Sequence, residues 1–350
     1  MARRYTPDLA VSRREGPAVH ISIADLADGA ADLPLLGPDG GVRDPLAVVE
    51  LAPAEPGVVE RAVRRARECD RILVGVGPGD PRLARALDLT FGPGGRETVA
   101  AGDPDGVREA VARNPRASLM LRDVLRATES LPVHAALDVE SYAYSALLGG
   151  AEFAAWLSLR GPRPLPPEAA EPVVVTRDGD RLSVTLNRPE RRNAFGRRLR
   201  DALVDALAVA VADKDVTLVL QGAGPAFCSG GDLDEFGTAP DLATAHLVRT
   251  RGGAGRLIHR LADRVEVSAH GPCVGAGIEL PAFAGRVTAR PGTTFRLPEV
   301  SMGLIPGAGG TVSIPRRVGR WRTLFMALTG VPVDVGTALA WGLIDEVTAA

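Results

Sequence analysis

Apolar positions in the first part of the chain switch between two periods. Residues 20–24, His20-Ile21-Ser22-Ile23-Ala24, alternate polar and apolar and predict a strand. Residues 57–69 carry Val58, Val59, Ala62, Val63 and Ala66 at helical spacing, with Arg61, Arg64, Arg65 and Arg67 elsewhere, and predict an amphipathic helix. Residues 71–77 predict a short buried strand ending in glycines. Residues 118–127 predict a helix, 133–137 another strand, and 141–157 an apolar helix interrupted by Gly149-Gly150.

The second part continues in strand–helix alternation. Strands are predicted at 181–186, 217–220 and 265–269. Leu199, Leu203, Leu207 and Val211 recur four apart and predict a helix over 197–214. A shorter helix is expected at 257–263, and another begins near Gly275. Between the two parts runs Arg160-Gly161-Pro162-Arg163-Pro164-Leu165-Pro166-Pro167-Glu168. Its prolines forbid helix and ladder hydrogen bonds and read as an extended linker. The expected division is an N-terminal α/β lobe at 1–160, a linker at 161–171 and a second domain at 172–350.

Composition narrows the classes. The chain has 350 residues, 45% apolar, with a net charge of −2. That is enough apolar matter for a globular core, and the charge balance gives no reason to expect nucleic acid or an acidic membrane as partner. No apolar run reaches the ~20 residues of a membrane helix, and Met1-Ala2-Arg3-Arg4 is followed by no apolar signal segment, so a cytoplasmic location is expected. Lys214 is the sole lysine; with abundant Ala, Gly and Pro this suggests a GC-rich, bacterial coding bias. Cys69, Cys228 and Cys273 have neither metal-ligand nor disulfide-framework spacing and read as packing residues. Gly75-Val76-Gly77-Pro78-Gly79 lacks the third glycine of a dinucleotide fingerprint, and Pro78 removes an N–H that a phosphate would need, so it reads as a strand-ending turn.

The chemistry-bearing residues lie in the second part. Glu279 follows Gly275-Ala276-Gly277-Ile278, and Glu299 follows Pro298 and precedes Gly303-Leu304-Ile305-Pro306-Gly307-Ala308-Gly309-Gly310. A third glycine-rich turn is Phe227-Cys228-Ser229-Gly230-Gly231-Asp232. Small residues in such turns leave backbone N–H groups open to a ligand oxygen, and two carboxyls in an apolar site can work as an acid and base pair. Taken singly, each glutamate reads first as a helix cap or an arginine partner; the surrounding motifs reverse that reading.

As an ordered set, these pieces resemble the crotonase (enoyl-CoA hydratase/isomerase) superfamily over about 172–350. The set includes Arg181 to Glu190, Arg192-Asn193-Ala194-Phe195, Ala226 to Leu233, Gly275 to Leu280, Phe295 to Glu299 and Gly303 to Thr311. The resemblance implies an α/β fold, a crotonase-like spiral of ββα units wrapped by helices. It implies that the backbone N–H groups of Gly231 and Ala276 bind a thioester oxygen and that Glu279 and Glu299 flank a water. It sets Arg192, Ala194, Ser229, Asp232 and Leu233 against coenzyme A, with Arg191 and Arg192 as candidate phosphate contacts. Coenzyme A enters as part of the substrate; no metal and no tightly bound cofactor is implied. The implied activity is that of an enoyl-CoA hydratase-like lyase. Isomerase, hydrolase or cofactor-free oxygenase chemistry, or a non-catalytic subunit, are the alternatives. A homo-oligomer, trimer or hexamer, is the family's assembly.

Further expectations concern the departures. Pro281 and Gly285 stand where relatives carry a helix former and an aspartate. The chain ends at Gly342 to Val347 plus three residues, where the family begins a last helical segment that covers the acyl pocket; the N-terminal lobe is one candidate substitute. That lobe reads as a degenerate crotonase-like repeat, catalytically silent, with Tyr142 aligned to Ala276 and Ser145 to Glu279; an unrelated α/β domain is the alternative. His246, His259 and His270 read as structural.

Overall fold

The computed structural model describes residues 19–99, 104–165 and 171–349. The first four residues and positions 166–168 of the proline-rich segment lie outside the described residues. The N-terminal part runs β1 (Val19–Ser22), α1 (Ile23–Ala27), β2 (Leu46–Glu50), α2 (Pro56–Glu68), β3 (Ile72–Val76), α3 (Pro81–Ala86), β4 (Leu89–Phe91) and β5 (Thr98–Val99). Four helices follow: α4 (Pro104–Arg113), α5 (Pro115–Thr128), α6 (Val133–Leu148) and α7 (Ala151–Arg160). The strands form a parallel sheet in the order β1-β2-β3-β4-β5.

The second part opens with β6 (Val173–Asp178), β7 (Arg181–Leu186), α8 (Arg197–Ala212), β8 (Thr217–Gly222), α9 (Leu242–Arg251) and α10 (Ala254–Arg260). Then come β9 (Val265–Ala269), β10 (Pro272–Val274), α11 (Ala276–Glu279), β11 (Arg286–Ala289) and β12 (Thr294–Arg296). It closes with α12 (Gly310–Val318), α13 (Arg320–Thr329), β13 (Val333–Asp334), α14 (Val335–Trp341) and β14 (Glu346–Val347). A six-stranded sheet has the order β14-β11-β9-β8-β7-β6, parallel except between β6 and β7, and β10-β12-β13 form a small separate sheet. This is the α/β crotonase-like architecture that the resemblance implied.

Alternating residues of the N-terminal sheet explain how the parts join. Ala47, Val49 and Leu73 face Val59, Ala62 and Ala66 of α2 in one apolar cluster. Leu46, Val48, Ile72, Val74, Leu89 and Phe91 belong to a second cluster that continues into the catalytic-type half. Phe91 meets Phe325 edge-on at 6.1 Å. Burial on both sheet faces is what the near-continuous apolar runs of β2 and β3 require. The two expected units therefore share one core.

Several local expectations are corrected. The strand expected over 20–24 ends at Ser22, because Ser22 caps α1: its hydroxyl accepts the Asp25 N–H at 3.1 Å and its own N–H reaches the Asp25 carboxylate at 2.9 Å. Residues 133–137 are helical. Pro132 stands as N-cap, and Val133, Ala136, Leu137, Glu140, Ser141 and Leu147 are buried at helical period. The apolar helix expected over 141–157 is divided between α6 and α7 at Gly149-Gly150. Both principal sheets set their strands in chain order. The alignment of Tyr142 with Ala276 and Ser145 with Glu279 nevertheless loses the strand that anchored it.

Candidate active site

Two turns meet at the edge of the small sheet. Cys228 and Cys273 form a parallel bridge, and the Val274 N–H donates to the Cys228 carbonyl at 3.0 Å. Gly231, three residues beyond Cys228, bridges Phe195, and Ala276 lies three residues beyond Cys273. Among the described residues neither the Gly231 nor the Ala276 N–H has a protein acceptor, and both residues line one cavity of about 630 Å³. Gly277 makes the approach possible: a Cβ there would lie 2.2 Å from the Cys228 carbonyl oxygen. Asn193, fully buried, fixes the preceding loop by donating to the carbonyls of Ala223, Ala226 and Phe227 at 2.9–3.0 Å. α11 is only four residues long and gives way to a turn at Pro281. So short a helix offers little dipole, and among the described residues the N–H groups of Ala276 and Gly277 have no backbone acceptor.

The two glutamates enter the same space from opposite sides. A Cβ on Gly275 would lie 2.6 Å from Glu299 Oε1 and 3.6 Å from Glu279 Oε1, so those oxygens can be no farther apart than the two distances together. Glu279 Oε2 accepts the Ala308 N–H at 2.7 Å and the Gly310 N–H at 2.9 Å. Glu299 Oε2 is buried with no protein donor among the described residues.

A third carboxyl, absent from the sequence-based set, comes from α6. Glu140 Oε1 accepts the Gly309 N–H at 2.8 Å; its Oε2 accepts the Thr311 N–H at 2.9 Å and the Thr311 hydroxyl at 2.7 Å. Successive N–H groups along residues 308–311 therefore alternate between Glu279 and Glu140. The glycines of this loop are sites of close approach: at Gly307 a Cβ would press the Tyr144 ring at 2.4 Å, and at Gly310 it would meet Glu279 Cγ at 2.7 Å. The N-terminal part, expected to be silent, walls the cavity with Leu137, Glu140, Ser141, Tyr144 and Leu148.

Burial governs the protonation of all three acids. Loss of water pushes Glu279 up to about 7, opposed by its two backbone donors. Desolvation and then the charge of Glu279 push Glu140 up to about 8. Glu299, desolvated and facing Glu279 without side-chain donors, is pushed well above the carboxylate range. Two backbone donors favour the charged form of Glu279, whereas Glu299, without them, holds its proton.

The remaining expected contacts divide. Ser229 and Ala194 are not among the residues that line the cavity; the Ser229 N–H donates to the Arg192 carbonyl at 2.9 Å, joining the two segments. Arg192 is exposed, in left-handed backbone with φ 51°. Asp232 borders the cavity, but its buried carboxylate is engaged by Arg191 at 2.7 Å and Arg188 at 3.4 Å. Its first role is to hold the Gly231 turn to the Arg188–Arg191 segment, and Arg191, also paired with Asp234 at 2.8 Å, is committed to the same network. Leu233 is partly exposed beyond it. His270 Nε2 contacts the Gly224 carbonyl at 3.0 Å and His246 stacks on Tyr142 with ring centroids 4.3 Å apart. All three cysteines are buried and free. Among the described residues no cluster of His, Cys, Asp and Glu could hold a metal ion, and no helix is long and apolar enough to cross a membrane.

Comparison with known proteins bears on this arrangement. The family model for enoyl-CoA hydratase/isomerase matches residues 180–350. A 2,3-dehydroadipyl-CoA hydratase of Escherichia coli (strain K12) is 34% identical over 176 residues, covering 50% of this chain and 68% of the relative. The chain belongs to the enoyl-CoA hydratase/isomerase family. A 1,2-epoxyphenylacetyl-CoA isomerase from the same organism is 35% identical over 172 residues, 47% of this chain and 65% of that protein. The crystal structure of a Mycobacterium smegmatis enoyl-CoA hydratase is similar at 30% identity, with a TM-score of 0.47, over 51% of this chain and 70% of its own. The chain spans about two thirds of the length of these curated relatives, whose names include both hydratases and isomerases.

Proposed function

We propose that the chain is an acyl-CoA enzyme that adds water to the double bond of a 2-enoyl-CoA thioester, or removes it in reverse. The observation that carries this reading is the convergence of Glu279 Oε1 and Glu299 Oε1 on Gly275, the residue before Ala276. The thioester oxygen is taken to accept the N–H groups of Gly231 and Ala276. As the double bond is attacked, negative charge gathers on that oxygen; one such donor is typically worth ~3–4 kcal/mol at the transition state. Glu279, whose charged form its two backbone donors favour, takes a proton from the water that bonds to C3. Glu299, kept protonated by burial, delivers its proton to C2 of the resulting enolate. The proton taken by Glu279 is returned to Glu299 through the site, so the net change is one water added.

The test is incubation with crotonyl-CoA and longer 2-enoyl-CoA thioesters, followed by mass spectrometry. A gain of one water, lost in Glu279→Gln and Glu299→Gln, supports the reading. A shifted double bond or free coenzyme A would assign an isomerase or a hydrolase instead, and no change with any thioester would favour a binding subunit.

A further inference from the structure

The wall of the cavity carries a cation that the hydration chemistry does not use. Arg249 projects from α9 against α6. Its Nε donates to the Ser141 hydroxyl at 3.0 Å, and its Nη2 to the Ser141 carbonyl at 3.3 Å and to the Ser145 hydroxyl. The guanidinium carbon rests 4.8 Å from the centre of the Tyr144 ring. Every protein acceptor is neutral: among the described residues no carboxylate lies within ion-pair distance of Arg249, and Nη1 has no protein acceptor. Neighbouring arginines differ, since Arg251 and Arg256 both pair with Asp138 at 2.7 and 3.2 Å. The Tyr144 hydroxyl likewise has no protein partner among the described residues, although its ring is enclosed between the Gly307 loop and Arg249.

A guanidinium keeps its charge at all working pH values and is costly to desolvate without an anion. Its fork accepts a carboxylate through two nitrogens at once. The cavity that this cation shares with the glutamates is also lined by Leu137, Val248, Ala254 and Leu280, apolar surface suited to methylene groups. Burial holds Glu140 and Glu299 toward their neutral forms, which leaves Glu279 as the acid whose charge a second anion would meet.

We propose that Arg249 and the Tyr144 hydroxyl receive a carboxylate at the distal end of the acyl chain, making CoA thioesters of dicarboxylic acids the preferred substrates. The proposal rests on the acyl-CoA reading above and is tested so that the two can fail separately. Unreactive saturated thioesters in length-matched pairs, glutaryl- against valeryl-CoA and adipyl- against hexanoyl-CoA, are titrated calorimetrically into the wild-type chain, Arg249→Met, Arg249→Lys and Tyr144→Phe. A charged hydrogen-bonded contact predicts roughly ten- to a hundredfold tighter binding of the dicarboxylic member of at least one pair. Arg249→Met should abolish that preference while binding of the neutral member stays unchanged; Arg249→Lys should keep part of it, and Tyr144→Phe should reduce it. Equal affinities within both pairs in the wild type overturn the proposal and leave the acyl-CoA reading standing. Equal weakening of both members in Arg249→Met also overturns it, making Arg249 a counter-charge for the glutamates. Failure of all four thioesters to bind overturns both readings.

Discussion

Replacing Glu140 with Gln should flatten the dependence of stability on pH. In the folded chain this carboxyl is buried and titrates near 8, against an ordinary 4.5, because burial and the neighbouring Glu279 disfavour its charge. A carboxyl raised in the folded state holds its proton more tightly there than in the unfolded chain. Its stabilising contribution is complete below about 4.5 and is lost as pH climbs through about 8. At 1.36 kcal/mol per unit the ceiling is about 5 kcal/mol, and sharing of charge with Glu279 reduces it to roughly 2–4 kcal/mol. Glutamine removes the titration but brings an amide NH₂ against one of the donors from Gly309 or Thr311, at a cost of roughly 1–3 kcal/mol. The variant should therefore be less stable than wild type at mildly acidic pH, and the gap should close or reverse in mild alkali. Urea unfolding midpoints across that interval measure it. Parallel curves for the two proteins would refute the assignment of Glu140 as a buried, late-ionising acid.

Other outcomes follow from the same geometry. Glu279→Gln and Glu299→Gln should each lower kcat for a 2-enoyl-CoA by roughly 10²–10⁴, with thermal midpoints at neutral pH no lower than wild type, since each removes a carboxyl that is costly to ionise. Gly277→Ala forces a Cβ toward the Cys228 carbonyl and should destabilise by roughly 1–3 kcal/mol while separating the two turns; calorimetry and kcat read both effects. Burial pushes the Cys228 thiol up to about 12 and raises Cys273 as well, so a disulfide reagent at mildly alkaline pH should leave both untouched until the chain is unfolded.

How far the sequence carried this picture depends on the range of the interactions involved. The turn at 227–232, the Gly275 to Glu279 segment and the 303–311 loop were legible because their chemistry is local: glycine where a carbonyl or carboxyl must approach, glutamate beside it. The bridge between Cys228 and Cys273 brings the first two of these segments together, and Gly231 and Ala276 line one cavity. The strand expected at 133–137 failed for a different reason. Val133, Ala135, Ala136 and Leu137 satisfy either period over so short a run, and the helix is decided by what lies farther on, Glu140, Ser141 and Leu147 buried against the other part. Glu140 was missed with it, although a lone acid inside an apolar helical stripe was the available signal. Arg249 gave none, because its acceptors are more than a hundred residues away in sequence.

Uneven hydrogen bonding sets Glu299 apart from the other two acids. All three are glutamates in one dry space, so burial alone would raise them alike. Glu279 differs by receiving the N–H groups of Ala308 and Gly310, and Glu140 by receiving those of Gly309 and Thr311 with a hydroxyl in addition. Glu299 receives no side-chain or loop donor at Oε2 and keeps its proton longest. A single glycine-rich loop thus offers donors to two carboxyls and withholds them from the third. Because one of those two stands on α6, the loop can hold that geometry only while the N-terminal helices are packed against it. The proline-rich segment between the parts is then a covalent connection across a site that both halves build.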